Sequence, residues 1–186
     1  MQFMTLDEEE LQKLLSLPEK RTKSFSLVVN AYQERLYWHI RKMVLSHDDA
    51  NDVLQNTFLK AWKGLDGFRG DSQVSTWLYR IATNETLTFL ANKKLRNNQS
   101  MDDLDNSMLQ NLQSGAYIDG DELQLKLQRA IVKLPDKQRL VFNMKYFDDE
   151  MTYEKMESIL GTSVGALKAS YHHAVKKIEK FFEDEE

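Results

Sequence analysis

A helical apolar period runs through this chain of 186 residues and lapses once, between Asn97 and Glu122. Those residues (NNQSMDDLDNSMLQNLQSGAYIDGDE) carry six acidic groups, no basic ones and many Asn, Ser and Gln. A stretch of that composition reads as a linker, with one short helical turn around Met108–Leu112. The chain therefore divides into an acidic helical extension (1–20), a first block (21–96), the linker (97–122) and a second block (123–182). The length suits one domain or two small ones, at roughly 100–200 residues each.

In the first block Phe25, Val28, Tyr32, Leu36, Ile40 and Val44 recur at steps of three or four and mark one helix, ended by Ser46 or His47. Asp48 and Asp49 open the next, placing negative charge at a helix N-terminus. That helix carries Val53, Leu54, Thr57, Phe58, Ala61 and Trp62 and stops at Gly64. GLDGFRGD (64–71) is a turn-rich loop. A third helix follows with Val74, Trp77, Leu78, Ile81, Ala82, Leu87 and Leu90 facing inward. Three helices on short connections make a bundle. In the second block Leu123 to Leu134 form a helix halted by Pro135, which also opens the next, through Leu140, Val141, Met144 and Tyr146. Thr152 caps a short helix ended by Gly161, and Ser163 caps a last one with Leu167, Tyr171, Ala174, Val175, Ile178 and Phe181 on its buried side. The expected fold is all-α: two small helical domains joined by an acidic linker.

The formal net charge of −4 hides an alternation: −3 over 1–20, +5 over 21–96, −6 over 97–122, +4 over 123–180 and −4 over 181–186. Ordinary solvated helix faces account for one such block. Two of them separated by an acidic spacer suggest modules that meet a polyanion and a linker that competes with it. With no cysteine there is no disulfide framework, zinc ribbon or thiol nucleophile. The acidic opening does not read as a signal peptide, and no run approaches the ~18 apolar residues of a membrane span. A soluble, cytoplasmic protein is expected.

The most informative spacing is a short helix from Thr152 to Leu160, a turn at Gly161–Thr162, and a longer helix from Ser163. This is a helix-turn-helix, whose second helix enters a major groove. The N–H groups at its start point toward phosphate, and Ser163 and Gly165 let the backbone approach. Lys168, Ser170, His172, His173 and Lys176 lie on its outward face, where lysine, serine and histidine bond phosphates or base edges.

The stretch from Leu127 to Phe181 resembles region 4 of bacterial sigma factors. AYQERLYWHIRKM and DANDVLQNTFLKAWKGLDGFRGDSQVSTWLYRIATNETLTFL resemble region 2, and a short linker stands where larger sigma factors hold another domain. That is the plan of the extracytoplasmic-function (group four) factors. The resemblance covers roughly Ser24–Arg96 and Leu123–Phe181, with DVLQNTF, FRGDS, STWLYRIATN and LPDKQR as its most specific words. It implies a sigma factor that directs core RNA polymerase to promoters: a transcription initiation factor rather than an enzyme, with no cofactor or metal, monomeric when free and held by an anti-sigma factor, often membrane-anchored.

Site by site, the resemblance implies that Asp52, Gln55 and Asn56, sharing one helix face, dock on the clamp helices of the polymerase largest subunit. Phe68, Arg69, Gly70, Asp71 and Ser72, with Asn84, form a pocket for a base flipped from the melted −10 strand. Such a pocket needs a pliant loop, a planar surface and a few donors. Tyr79 and Arg80 face the strand, Trp77 belongs to the core, and Lys93, Lys94 and Arg96 follow the backbone. The −35 contacts fall on Lys168, Ala169, Ser170 and His172. Leu140, Phe142 and Met144 lie near the flap-tip surface, a role that core packing contests. Two departures stand out. Thr88 and Ala91 replace a common Asp and Arg, and Ala169 and Ser170 replace the more usual arginines, so a promoter preference does not transfer.

Enzyme readings are poor. Asp48, Asp49 and Asp52 suit a helix start better than a metal, and His172 and His173 point about 100° apart on a helix. The alternative from another class is a stand-alone helix-turn-helix regulator that binds operator DNA as a dimer; a third reading is a sigma-like protein without promoter activity. In the free protein the two domains are expected to pack together and cover their DNA surfaces, with the linker and the extra helix at Leu6–Leu17 as intramolecular means of control.

Overall fold

A computed structural model describes residues 7–15, 17, 20–97 and 122–184. The linker over 98–121, with the turn expected at Met108–Leu112, lies outside them. Among the described residues the elements are helices alone: α1 (Glu8–Leu15), α2 (Arg21–Val44), α3 (His47–Gly64), α4 (Val74–Asn97), α5 (Glu122–Val132), α6 (Asp136–Tyr146), α7 (Tyr153–Leu160) and α8 (Val164–Asp184), with one turn of 3-10 helix at Leu65–Gly67.

The stripe on α2 folds as its spacing requires, sealing Val28, Leu36 and Ile40 completely. The helix ends at Val44, two residues before Ser46. Leu45 takes a left-handed conformation (φ 60°) and returns its N–H to the Arg41 carbonyl at 2.9 Å. That conformation costs a non-glycine residue roughly 1–2 kcal/mol. Burial of the Leu45 side chain offsets it, being worth about 1.5–3 kcal/mol for a leucine. Ser46 is thereby released to cap α3, accepting from Asp49 N at 3.3 Å.

In the second block, Thr152 caps α7 and Gly161 ends it in the left-handed region (φ 65°). Ser163 Oγ accepts from Ala166 N at 3.4 Å and caps α8. Pro135 stands just before α6 as its N-cap residue. Arg139 is buried, donating to the Val132 carbonyl (3.3 Å) and to Asp136 (3.1 Å).

The two blocks do not keep separate cores. A small cluster of Ala130, Ile131, Leu134, Phe142, Ala174 and Ile178 belongs to the second block alone. The large cluster runs from Leu36, Ile40 and Met43 of α2 through Leu78 of α4 to Leu140, Met144, Met156 and Leu167 of the second block. α6 packs on α2, and α7 packs on α4. Polar contacts join the same faces: Asn143 donates to the Lys42 carbonyl at 3.2 Å, and Lys94 bonds Asp136 at 2.6 Å.

Candidate nucleic-acid and polymerase interfaces

The α3 surface follows from its buried face. Ala50, Val53, Thr57 and Ala61 point inward, which turns Asp52, Gln55 and Asn56 to solvent on the opposite side. The same face continues through Leu59 and Trp62, 51% and 42% exposed. Trp62 is therefore an outward residue of this helix. Its ring lies edge-on against Phe25 (centroids 5.2 Å apart), and the rest of the indole is open. Steps of three and four from Gln55 and Asn56 were the available signal for both residues.

The loop Phe68–Ser72 sits against the start of α4. Phe68 packs on Trp77 with ring centroids 4.8 Å apart, so the loop's planar group is partly spent on the core. Gly70 has φ 77°, and the Gln12 amide nitrogen lies 2.5 Å from where a Cβ would stand. The conformation favours glycine there, and a side chain at this position would also displace the Gln12 amide from the loop. Arg69 and Asp71 are exposed and Ser72 is half-buried. Asn84 is exposed ten residues into α4, about 15 Å along the axis at 1.5 Å per residue.

Tyr79 departs from expectation. It is 9% exposed, with its ring 5.1 Å from that of His39 on α2, so it faces the core rather than a strand. Burial, with the nearby Asp148 charge adding to it, pushes its hydroxyl up to about 12. Burial likewise pulls His39 down to about 4, and the ring pairs with Thr83 Oγ1 at 2.9 Å. The next residue, Arg80, is exposed, and its guanidinium donates to the Ser158 carbonyl of α7 at 2.5 Å. Lys93 bonds Asp49 at 2.6 Å and Lys94 bonds Asp136 at 2.6 Å, while Arg96 is exposed. Asp49 thus serves an ion pair as well as a helix start. Thr88 and Ala91 are both exposed on the same helix.

On α8 the inward residues are Leu167, Ala174 and Ile178. Gly165, Lys168, Ala169, His172, His173 and Lys176 are exposed, and Ser170 is half-buried. A Cβ at Gly165 would meet nothing within 4 Å, so the fold does not demand glycine; its effect is a bare backbone at the helix start. The Lys168 ammonium lies 5.6 Å from the centroid of the Tyr153 ring, and Lys176 bonds Glu179 one turn on at 2.9 Å. His173 and Lys176, with Gln138, Lys177 and Lys180, line a shallow groove of about 500 Å³. Leu140, Phe142 and Met144 are each 3% exposed and belong to the core, the role that contested their place near a flap-tip surface. α6 packs against both α2 and α8, which buries these three side chains, while Tyr146 at its end is 49% exposed.

Comparison with known proteins places the chain as a whole. The sigma-70 region 2 profile matches residues 28–104, and the sigma-70 region 4 profile matches residues 124–178. The ECF RNA polymerase sigma factor SigW of Bacillus subtilis (strain 168) is 28% identical over 169 residues, spanning 87% of this chain and 90% of that protein. The ECF RNA polymerase sigma-E factor of Escherichia coli (strain K12) is 32% identical over 166 residues, spanning 84% and 85%. Among solved structures, CnrH in complex with the cytosolic domain of CnrY superposes with a TM-score of 0.67 at 20% identity, covering 97% of this chain and 99% of that one. RpoE in complex with the anti-sigma factor NepR from Bartonella quintana gives 0.63 at 20% identity, covering 87% and 98%.

Region 2 followed by region 4, with helices alone among the described residues, defines a transcription initiation factor of the sigma-70 type. The chain belongs to the ECF RNA polymerase sigma factor family. It directs core RNA polymerase to promoters, and the stand-alone regulator reading is not favoured.

Proposed function

We propose that this chain reads two promoter elements with two faces, and that the closed arrangement of its blocks covers one of them. The outward side of α8, from Ser163 and Gly165 through Lys168, Ala169, Ser170, His172, His173 and Lys176, meets the −35 duplex. The loop Phe68–Ser72, with Arg80, Asn84, Lys93, Lys94 and Arg96, meets the melted −10 strand. Tyr79 supports that surface from beneath. Asp52, Gln55 and Asn56, continued by Leu59 and Trp62, meet the clamp helices of the polymerase.

The observation that carries the reading is the occupation of Arg80 and Lys94 by the second block. Two groups assigned to the −10 strand hold a carbonyl and a carboxylate across the interface, so strand binding requires the blocks to part. The chain acts in the cytoplasm with the polymerase, as a monomer when free and as a non-catalytic subunit when bound. An anti-sigma factor is its regulatory partner; the complexes of CnrH with CnrY and of RpoE with NepR support that assignment.

The test is reconstitution with bacterial core polymerase and mapping of start sites on genomic DNA. The holoenzyme is expected to start at discrete promoters, while the chain alone does not shift a promoter fragment. Failure to join core polymerase overturns the reading. Within it, Lys168→Ala is expected to weaken promoter binding by about 1–3 kcal/mol with relaxed preference at one −35 position if it contacts a base. If it contacts phosphate, the loss is uniform across sequences and the salt slope falls by about 1.

A further inference from the structure

The extension preceding the sigma regions makes the most specific polar contacts near the −10 loop. Leu11 and Leu15 of α1 are buried in the large core, which fixes the helix over α2 and α4. With those two residues inward, Glu8 and Gln12, one helical turn apart, share a side. The Glu8 carboxylate accepts from the backbone N–H of Val74 (3.0 Å) and of Ser75 (3.0 Å), and from the Tyr32 hydroxyl (2.6 Å). Gln12 Nε2 donates to the Gly70 carbonyl at 2.6 Å.

The first N–H groups of a helix have no partner inside it, and a carboxylate there is favoured by the helix dipole as well. Most helices take that cap from the residue just before them. Here Gln73 precedes α4, a residue type outside the good caps. The cap comes instead from Glu8, more than sixty positions upstream. The loop between Gly70 and Val74 is thus held at both ends by one short helix, at Gly70 by Gln12 and at the first turn of α4 by Glu8. Asp71 and Gln73 stay exposed between the two grips, and Arg69 just before them, so α1 holds the loop without covering these side chains.

We propose that α1 is a clamp for the −10 reader: Glu8 and Gln12 are positioning residues that set the loop Phe68–Ser72 against the start of α4 in the geometry that captures the −10 strand. The proposal rests on the −10 assignment made above and adds to it the part of the chain that pre-shapes the loop. A pre-shaped loop lowers the ordering cost of strand binding, so loosening it weakens binding without removing any group that touches DNA.

The experiment uses the full chain, free and in holoenzyme, with Glu8→Ala/Gln12→Ala as the main variant and Glu8→Gln as a milder second. Glu8→Gln keeps the shape and one acceptor oxygen, so it reports even where the double variant folds poorly. The probes are a single-stranded oligonucleotide covering the −10 element of a promoter at which wild-type holoenzyme starts transcription, a scrambled strand of equal length, and a duplex covering the −35 element. The double variant is expected to lose about tenfold in affinity for the −10 strand, the ratio of one charge-assisted hydrogen bond. Its preference for that strand over the scrambled one falls too, while core affinity and −35 duplex affinity stay within about twofold, inside the spread of surface changes. Glu8→Gln is expected to lose about threefold, as a neutral acceptor is weaker than a charged one.

Amide exchange in the free chain is expected to quicken at Gly70, Val74 and Ser75 and not in α8. A purely structural role would weaken both DNA probes in proportion to the unfolded fraction and leave the strand preference intact, and that result overturns the clamp. Unchanged exchange at Val74 and Ser75 also overturns it, as does faster exchange with unchanged strand affinity. Wild-type holoenzyme that ignores the −10 strand overturns the −10 assignment itself, a different failure read in the control.

Discussion

α4 and α8 both present cations on faces assigned to DNA, and they differ in what those cations hold. On α8, Lys176 bonds Glu179 of its own helix and Lys168 lies over Tyr153, both at exposed positions. On α4, Lys93 bonds Asp49 of its own block, whereas Arg80 and Lys94 reach partners in the other block. Exchanging an exposed pair within one helix for a phosphate costs a few tenths of a kcal/mol to about 1 kcal/mol. Exchanging the cross-block pairs also means parting a core shared by α2, α4, α6 and α7. On the proposed assignment, the −35 face is ready in the free chain, and the −10 face waits on a change in the blocks that polymerase binding is suited to drive.

The largest expected effect separates the two cores. Met156 is fully buried in the cluster that spans both blocks, and Ile131 is buried in the cluster confined to the second. Truncating either to alanine costs about 2–5 kcal/mol through lost burial and a residual cavity. Amide exchange tells them apart. Met156→Ala is expected to quicken exchange in α4 as well as α7, while Ile131→Ala affects α5, α6 and α8 alone. Unchanged exchange in α4 of Met156→Ala would break the picture of a shared core.

A second effect comes from acid. His39 lies where α2 meets α4, beside a crevice of about 330 Å³ that Asn143, Phe147, Asp148 and Glu150 line from the second block. Its folded pKa of about 4 lies below the ordinary 6.5, through burial first and the Lys42 charge second. The unfolded chain thus binds the extra proton between those values, so stability rises with pH there. The contribution is complete above about 6.5 and is lost as pH falls toward 4. At about 1.4 kcal/mol for each tenfold change in proton affinity, the whole effect is on the order of 3 kcal/mol. His39→Asn is expected to flatten the difference in urea midpoint between pH 7 and pH 5, and equal pH dependence in variant and parent would remove His39 as its source.

Much of this was legible in the sequence, for identifiable reasons. Periodicity places α2, α3, α4 and α8 because each buries one continuous stripe, and Thr152, Gly161 and Ser163 act as their residue types suggest. Other assignments failed where two roles compete for one residue type. Tyr79 looked outward as an aromatic beside Arg80, yet the turn of α4 that exposes Arg80 points Tyr79 at His39. Leu140, Phe142 and Met144 have no spacing that distinguishes a docking face from a core helix covered on both sides. The cap from Glu8 could not be found by local rules at all, because nothing near Gln73 in the chain signals a partner so far upstream.

The smallest effect is the sharpest test of the α4–α8 contrast. Lys93 and Lys94 are neighbours, each half-buried and each bonded to a carboxylate at 2.6 Å, but only the Lys94 partner lies in the other block. Replacing either with glutamine removes a pair worth about 0.2–1 kcal/mol. For Lys93→Gln that loss falls on the first block and leaves the balance of closed and open forms alone. For Lys94→Gln it falls on the interface, and up to 1 kcal/mol multiplies the open population by about fivefold or less. The chain has no cysteine, so Thr88→Cys and Lys137→Cys supply one dye site on each block for single-molecule energy transfer. Lys94→Gln is expected to enlarge the low-transfer population and Lys93→Gln to leave it unchanged. Equal effects would mean that the closed state does not depend on the cross-block pair and that the contrast between the two faces lies in the apolar core alone.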